Sequence, residues 1–137
     1  MDAVLETLTT GLPVLLLQLA VTLALLAIGA VIYTAVTPFH EFRLMRDGNV
    51  AAGIALAGTL VALAIPLAAT LASSLVTLDI LLWGAVALVV QLLAFLLASR
   101  LIPGLRGMIE TGNAAAACVL VGVQIAVALL NAGAMAG

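Results

Sequence analysis

Four long apolar runs dominate the pattern of hydrophobic and polar positions along the chain. They cover about residues 12–36, 50–72, 78–99 and 114–135, and short polar segments separate them. A helix needs about 20 apolar residues to cross the hydrocarbon core of a bilayer, where it satisfies its own backbone hydrogen bonds. The runs lack the period-two alternation of transmembrane strands. The pattern therefore predicts an all-α membrane protein with four transmembrane helices.

The composition supports this prediction and narrows the choice of partners. The chain has 137 residues, of which 66% are hydrophobic and 7% are charged, whereas soluble domains contain about 25% charged residues. Four crossings use almost the whole length, so we expect a single membrane domain, residues 1–137, whose main partner is the lipid bilayer. The formal net charge of −2 does not favour a nucleic-acid partner.

The basic residues predict the orientation, because cytoplasmic loops of membrane proteins are enriched in Lys and Arg. The chain contains no lysine and four arginines, which all fall between spans one and two or between spans three and four: Arg43, Arg46, Arg100 and Arg106. We therefore expect loops 37–49 and 100–113 to be cytoplasmic in a bacterial plasma membrane. Both termini would then lie outside.

A short motif occurs twice and indicates an internal repeat. RDGNVAAG at 46–53 is followed by ETGNAAAA at 110–117, so that Gly112-Asn113 comes 64 positions after Gly48-Asn49. The same offset places Gly58 on Gly122. Each repeat, about 12–73 and about 76–137, contains two spans and enters the membrane in the same sense, which predicts two parallel two-helix units related by an axis along the membrane normal.

The Gly-Asn pairs admit two interpretations. Glycine adopts a positive φ readily and asparagine is a favoured helix N-cap, so Asn49 and Asn113 could cap spans two and four, whose following small residues would form a packing face. This is the favoured interpretation. Alternatively, two helix N-termini side by side could bind an anion or line a cytoplasmic vestibule.

Polar residues within the spans raise a similar choice. Gln91 and Gln124 fall near the middle of spans three and four, where an amide without a partner is costly, so both should face protein or water. Hydrogen bonding between helices is favoured over lining of a pore or substrate path. None of the predicted spans contains Asp, Glu, Lys or Arg, except for Asp79 near the start of span three. This argues against ion-coupled transport, which usually needs such a residue along its path.

Residues capable of chemistry are few. His40 lies beside Glu41, but a zinc site needs three or four ligands, and the sequence has no nucleophile triad and no phosphate-binding glycine loop. We therefore expect no enzyme activity, no metal and no cofactor.

Two strings of residues carry a family resemblance that covers essentially the whole chain. The first is Tyr33, Thr37-Pro38, Glu41, Leu44, Arg46, Gly48-Asn49, Ala51-Ala52, Gly58 and Pro66-Leu67; the second is Asp79, Trp83-Gly84, Gln91, Arg100 and Gly112-Asn113. In these residues the chain resembles the family of small bacterial inner-membrane proteins called domain of unknown function 350, the YjfL-like proteins. The resemblance implies a multi-pass plasma-membrane protein in two similar halves, without an established activity. The second half departs from the motif, since Leu105 stands at the 64-residue offset of Glu41.

Two functional hypotheses follow, and both include assembly into a homo-oligomer through the small-residue faces. The first is a small channel or passive transporter, with a path near Asn49, Asn113, Gln91 and Gln124. The second is a non-transporting accessory subunit that recruits a cytoplasmic protein through exposed charges. These are Glu41, Arg43, Arg46 and Asp47.

Overall fold

Six helices make up the part of the chain that the computed structural model describes, residues 1–37 and 40–136. No strand occurs in these two ranges. The helices are α1 (Asp2–Val36), α2 (Glu41–Arg46), α3 (Val50–Ser73), α4 (Thr77–Leu101), α5 (Leu105–Glu110) and α6 (Ala114–Ala136). Pro38, which belongs to the motif of the family resemblance, lies outside the described residues.

The four long helices α1, α3, α4 and α6 are each long and apolar enough to cross a membrane, which confirms the predicted four-span architecture. The start of α1 differs from the prediction, because the helix begins at Asp2 and not near residue 12. The polar residues before the apolar run do not break the helix: the hydroxyls of Thr7 and Thr10 donate to carbonyl oxygens one turn earlier, at 2.8 and 2.9 Å. Pro13 lies inside the helix without ending it.

The first half of α1 stands clear of the bundle. Thirty-five residues give a helix of about 52 Å, which exceeds the hydrocarbon thickness of about 30 Å. Residues 1–17 are all exposed, whereas the second half packs on α4, where Leu88 lies over Gly29 and Leu25 lies over Gly84. Only the second half of α1 therefore contributes to the core.

The most extensive contact in the bundle is between α3 and α6. Alanine is the commonest buried residue on these two helices: Ala51, Ala52, Ala55 and Ala62 on α3, and Ala116, Ala117 and Ala128 on α6. Small residues let two helix backbones approach closely, which is how helices associate in lipid, where apolar side chains gain little by leaving the solvent. Helices α1 and α4 complete the bundle, with α1 packed on α3 and α4.

Gly58 lies on the face of α3 that contacts α6, directly against Val121. A Cβ atom at this position would lie 2.8 Å from the Cβ atom of Val121 and nearer still to its methyl groups. At Gly122, its counterpart at the 64-residue offset, a Cβ atom would meet nothing within 4 Å. The expectation that Gly58 is a contact residue is therefore met, while Gly122 lies outside the contact.

The short helices α2 and α5 occupy the two loops that join the spans within each half. Helix α2 packs on α3, and α5 contacts α6 and α3. Both therefore lie at the same end of the bundle. The duplication of the unit and the cytoplasmic side of this end stay predictions.

Gly58 and Gly122 provide a matched pair of substitutions. Gly58→Ala should lower the thermal stability of the purified protein. The new methyl group would overlap the Cβ and methyl groups of Val121, so the two helices must separate. Overpacking of this kind costs about 1–3 kcal/mol. Gly122→Ala should leave stability unchanged or raise it, since alanine favours a helix by about 1 kcal/mol. Thermal unfolding in detergent measures both. Equal effects of the two substitutions would contradict the assigned contact.

Candidate functional site

The two Gly-Asn turns have the same backbone geometry. Gly48 and Gly112 both have a φ of 85°, a value that side chains disfavour. Each glycine donates its N–H to a carbonyl oxygen three residues earlier, that of Met45 or of Ile109, at 3.0 Å. This bond closes the short helix and turns the chain back toward the membrane.

Both asparagines cap the helix that follows. The Asn49 Oδ1 atom accepts a hydrogen bond from the backbone N–H of Ala52 at 3.0 Å, and the Asn113 Oδ1 atom accepts one from Ala116 at 3.1 Å. Each cap satisfies a backbone donor at the helix N-terminus, where such groups have no partner within the helix. The geometry therefore fits the capping interpretation.

Asn49 also joins the two halves of the chain. Its Nδ2 atom donates to the carbonyl oxygens of Ile109 at 2.8 Å and Glu110 at 3.2 Å. A surface depression of about 440 Å³ lies beside this link, and its lining includes Asp47 and Glu110 but no arginine. The donors of Asn49 are used within the protein and carboxylates border the depression, so this geometry does not favour an anion site.

Glu41 does not lie on an exposed face as the partner hypothesis assumed. Its side chain is folded under α2, and the residue is 2% exposed. Arg43, Arg46 and Asp47 are exposed as expected and border a surface depression with the exposed ring of Phe42. The expectation that Glu41 is one of the exposed charges is therefore wrong, because the first turn of α2 points it inward.

Inside the bundle, Glu41 is hydrogen-bonded to Tyr33 of α1. The Tyr33 hydroxyl donates to the Oε1 atom of Glu41, and Tyr33 is itself 1% exposed. The ring of Phe95 fixes the tyrosine in an edge-to-face contact with a centroid distance of 4.7 Å. The second carboxyl oxygen of Glu41, Oε2, is buried and has no hydrogen-bond partner.

Three further polar side chains continue from Tyr33 toward the middle of the membrane. The Tyr33 hydroxyl lies close to the side chains of Thr59 and Gln124, and the Thr59 hydroxyl donates to Gln124 Oε1 at 3.1 Å. The Gln91 Nε2 atom donates to the backbone oxygen of Gln124 at 2.9 Å, while Gln91 Oε1 has no partner. We call the five residues Glu41, Tyr33, Thr59, Gln124 and Gln91 the polar chain.

The polar chain draws one residue from each helix except α5. Its members are between 1% and 3% exposed. Gln91 and Gln124, expected either to join helices or to line a path, do join helices, since their hydrogen bond links α4 to α6. Sequence reasoning missed Thr59 and named Tyr33 only as part of the family motif. The eight-residue spacing of Tyr33 and Glu41 was the available signal, and it carries meaning only once α2, packed on α3, brings Glu41 to Tyr33.

The polar chain is not repeated in the second half. At the offset that superimposes Gly48 on Gly112, Leu105 replaces Glu41, and Leu105 is 3% exposed. The same local backbone therefore accommodates a buried leucine. A carboxyl at Glu41 is not required by the turn or by the packing of the short helix.

Burial changes the acid–base behaviour of Glu41. Removal from water disfavours the charged carboxylate and raises the pKa of Glu41 from 4.5 to about 7, although the hydrogen bond from Tyr33 opposes the shift. The group can therefore gain and lose a proton near neutral pH. Thr34, His40 and Arg43 border a surface depression of about 500 Å³ that Glu41 also lines.

Four apolar membrane-crossing helices with a buried polar chain define a multi-pass integral membrane protein, and comparison with known proteins gives the family. Residues 7–135 match the family described as Domain of Unknown Function (DUF350), and the chain belongs to this family. It is similar to the UPF0719 inner membrane protein YjfL of Escherichia coli K12 and to that of strain O157:H7. Each is 34% identical over 112 residues, which cover 82% of this chain and 85% of the relative. No solved structure matches. The chain is thus an inner-membrane protein, as expected.

The two capping asparagines should differ in their importance for stability. Replacement of either by alanine removes a cap worth about 1 kcal/mol, but Asn49→Ala also removes the hydrogen bonds to Ile109 and Glu110 that join the two halves. Asn49→Ala should therefore lower the melting temperature more than Asn113→Ala does. Thermal unfolding of both variants measures the difference. A larger loss in Asn113→Ala would contradict the assigned link.

Glu41 should make the stability of the protein depend on pH. The folded state holds the proton of Glu41 more tightly than the unfolded chain does, so this contribution is complete below about pH 4.5 and is lost as the pH rises through about 7. Glu41→Gln keeps an acceptor for Tyr33 and cannot ionise. It should match the wild type at pH 5 and melt at a higher temperature at pH 8. The gain in the free energy of unfolding at pH 8 should be at most about 3 kcal/mol, because one pKa unit corresponds to about 1.4 kcal/mol.

Thermal unfolding between pH 4.5 and 8.5 tests this pH dependence, with Glu6→Gln as the matched control. Glu6 is an exposed residue in the first turns of α1, so its substitution should leave the wild-type pH profile unchanged. Parallel profiles for Glu41→Gln and the wild type would show that Glu41 does not titrate in the folded protein over this range.

Proposed function

We propose that the protein is a small transport protein that moves protons across the inner membrane along the polar chain, with Glu41 as the proton-binding group at its α2 end. The single observation that carries the proposal is the buried carboxyl of Glu41, which has one oxygen on Tyr33 and the other without a partner. A buried ionisable group in a membrane protein is expensive and generally functional.

The incomplete hydrogen bonding of the polar chain distinguishes transport from a purely structural role. A hydrogen-bond network that only holds helices together stabilises the fold most when every buried polar atom has a partner. Here the Oε2 atom of Glu41 and the Oε1 atom of Gln91 have none. Both are acceptors, and a transient water molecule would donate a hydrogen bond to each of them.

The second half of the chain supplies an internal comparison. Leu105 fills the position equivalent to Glu41 and is buried there. Replacement of a buried polar group by a well-packed apolar one is often neutral or stabilising. The carboxyl occurs in the first half of the chain and not at the equivalent position of the second half, which favours a chemical role for Glu41.

Polar groups on α6 extend the path toward the opposite end of the bundle. Asn131 follows Gln124 by seven residues, two helical turns, and therefore lies on the same face about 10 Å further along the axis. Its Nδ2 atom donates to the backbone oxygen of Ala87 at 3.5 Å, one turn before Gln91 on α4. Asn131 also lines the cavity that opens at that end. The side chains between Glu41 and Gln91 are buried, so the proposed proton path is closed to water in this structure.

Apart from Asp79, the predicted spans hold no ionisable group, which disfavours coupled transport at the level of the sequence. Glu41 lies outside every span in the sequence, yet it packs against Tyr33 within the end of α1. The folded protein therefore holds a buried ionisable group at the end of a span, although no span contains it in the sequence.

Proton flux into proteoliposomes tests the proposal. Vesicles containing the purified protein and a trapped pH-sensitive dye are given an inside-negative potassium diffusion potential with valinomycin. The wild type should acidify the lumen faster than protein-free vesicles do, and Glu41→Gln should return the rate to that background, since an amide cannot exchange the proton. Glu6→Gln, with its carboxyl exposed, should retain the wild-type rate.

Two outcomes would contradict this function. The first is a wild-type rate equal to that of protein-free vesicles, and the second is an undiminished rate in Glu41→Gln. Either result would favour the alternative of an accessory subunit, for which Arg43, Arg46 and Asp47 remain the exposed candidate residues. Capture of a cytoplasmic partner that is lost when these charges are removed would then support recruitment.

A further inference from the structure

A cavity of about 520 Å³ opens at the end of the bundle opposite α2 and α5. It lies between the last turn of α3, the first turns of α4 and the last turns of α6. A volume of this size is typical of small-molecule sites. None of the five residues of the polar chain lines it.

The neutral polar groups around the cavity present hydrogen-bond acceptors. The hydroxyls of Thr70 and Ser73 each donate to a backbone oxygen of the preceding turn, at 3.0 and 2.8 Å, which leaves their oxygen lone pairs for a ligand. Asn131 donates through Nδ2 to a backbone oxygen of α4, so its Oδ1 atom also remains an acceptor. A ligand that matches this lining must carry hydrogen-bond donors.

Electrostatics at this end of the bundle favour a cation. Asp79 lines the cavity, and its carboxylate forms no ion pair within the described ranges. The arginines are confined to α2, α5 and the last turn of α4, at the far end of the molecule. The C-termini of α3 and α6, which carry partial negative charge, lie at the cavity, against the single N-terminus of α4.

The remaining walls favour an organic cation over a metal ion. Trp83 follows Asp79 by one helical turn and is 56% exposed, so a cation held by the carboxylate can also contact the face of the indole ring. Val86 and Met135 add apolar surface. Calcium or magnesium would require several oxygen ligands with more than one carboxylate as a rule, and the described residues hold no cluster of three His, Cys, Asp or Glu side chains.

We propose that this cavity binds a small organic ammonium ion, with Asp79 as its counter-ion, the Trp83 ring against its carbon atoms, and the oxygens of Thr70, Ser73 and Asn131 as acceptors for its N–H groups. This site goes beyond the proposed proton transport and does not depend on it. A helix-dipole role for Asp79 and a membrane-interface role for Trp83 would explain each residue singly. Neither role accounts for a cavity in which acceptor oxygens of Thr70, Ser73 and Asn131 lie beside Asp79 and Trp83.

The fluorescence of Trp83 tests the site directly, because Trp83 is the single tryptophan of the chain. Purified protein in lipid nanodiscs is titrated with n-butylammonium chloride at constant ionic strength. The emission of Trp83 should change with a saturable dependence on concentration. Sodium chloride, which lacks the N–H donors, and 1-butanol, which lacks the charge, should give no saturable change.

Substitutions assign the binding to the cavity. Asp79→Asn should weaken binding at least tenfold, whereas Glu6→Gln, which removes a carboxyl elsewhere on the chain, should leave it unchanged. Asn131→Leu keeps the fluorophore and removes one acceptor, so it should weaken binding as well. If Asp79→Asn does not fold, Asn131→Leu serves as the test variant in its place. A fluorescence change that fails to saturate, that 1-butanol reproduces, or that persists in the folded Asp79 or Asn131 variant would overturn the proposal. Because the readout is binding, the result is independent of the proton-flux measurement.

Discussion

The close packing of α3 against α6 is the contact on which the rest of the structure depends. Alanines and Gly58 allow the two backbones to approach, and in lipid this close approach replaces the hydrophobic driving force that folds soluble bundles. The contact brings Thr59 of α3 to Gln124 of α6. It also brings the turn before α3 close enough for Asn49 to bond with the end of α5. Both the polar chain and the link between the halves follow from this one interface.

The two halves share a backbone pattern but differ in their chemistry. Their turns have the same glycine φ and the same capping bond. Glu41 in one half nevertheless corresponds to Leu105 in the other, and both are buried. The polar chain occurs once and takes residues from all four long helices. This arrangement suits a single path through each chain, in contrast to a site shared by the two Gly-Asn turns.

The positions of polar groups divide the molecule into two ends with different properties. One end carries the arginines, the capped turns and the buried Glu41, whereas the other carries a cavity whose lining includes Asp79, Trp83 and Asn131. Asn131 and Gln124 lie between the ends on one face of α6. A cation site at one end and a proton-binding carboxyl at the other are compatible with one transport protein, and each can be established without the other.

The sequence by itself determined the four spans, the Gly-Asn turns, the caps and the pairing of Gln91 and Gln124 with other helices. These features depend on local composition and spacing: apolar length specifies a span, a positive φ favours glycine, and a mid-membrane amide needs a partner. Only the tertiary structure decided that Glu41 is buried and that Tyr33 and Thr59 join it in the polar chain. It also decided that Gly58 and not Gly122 lies at the close helix contact, and that Asp79 and Asn131 line one cavity. The physical reason is that these outcomes depend on how α2 folds back and how the helices rotate about their axes. In a sequence that is apolar on nearly every face, the hydrophobic pattern does not specify that rotation.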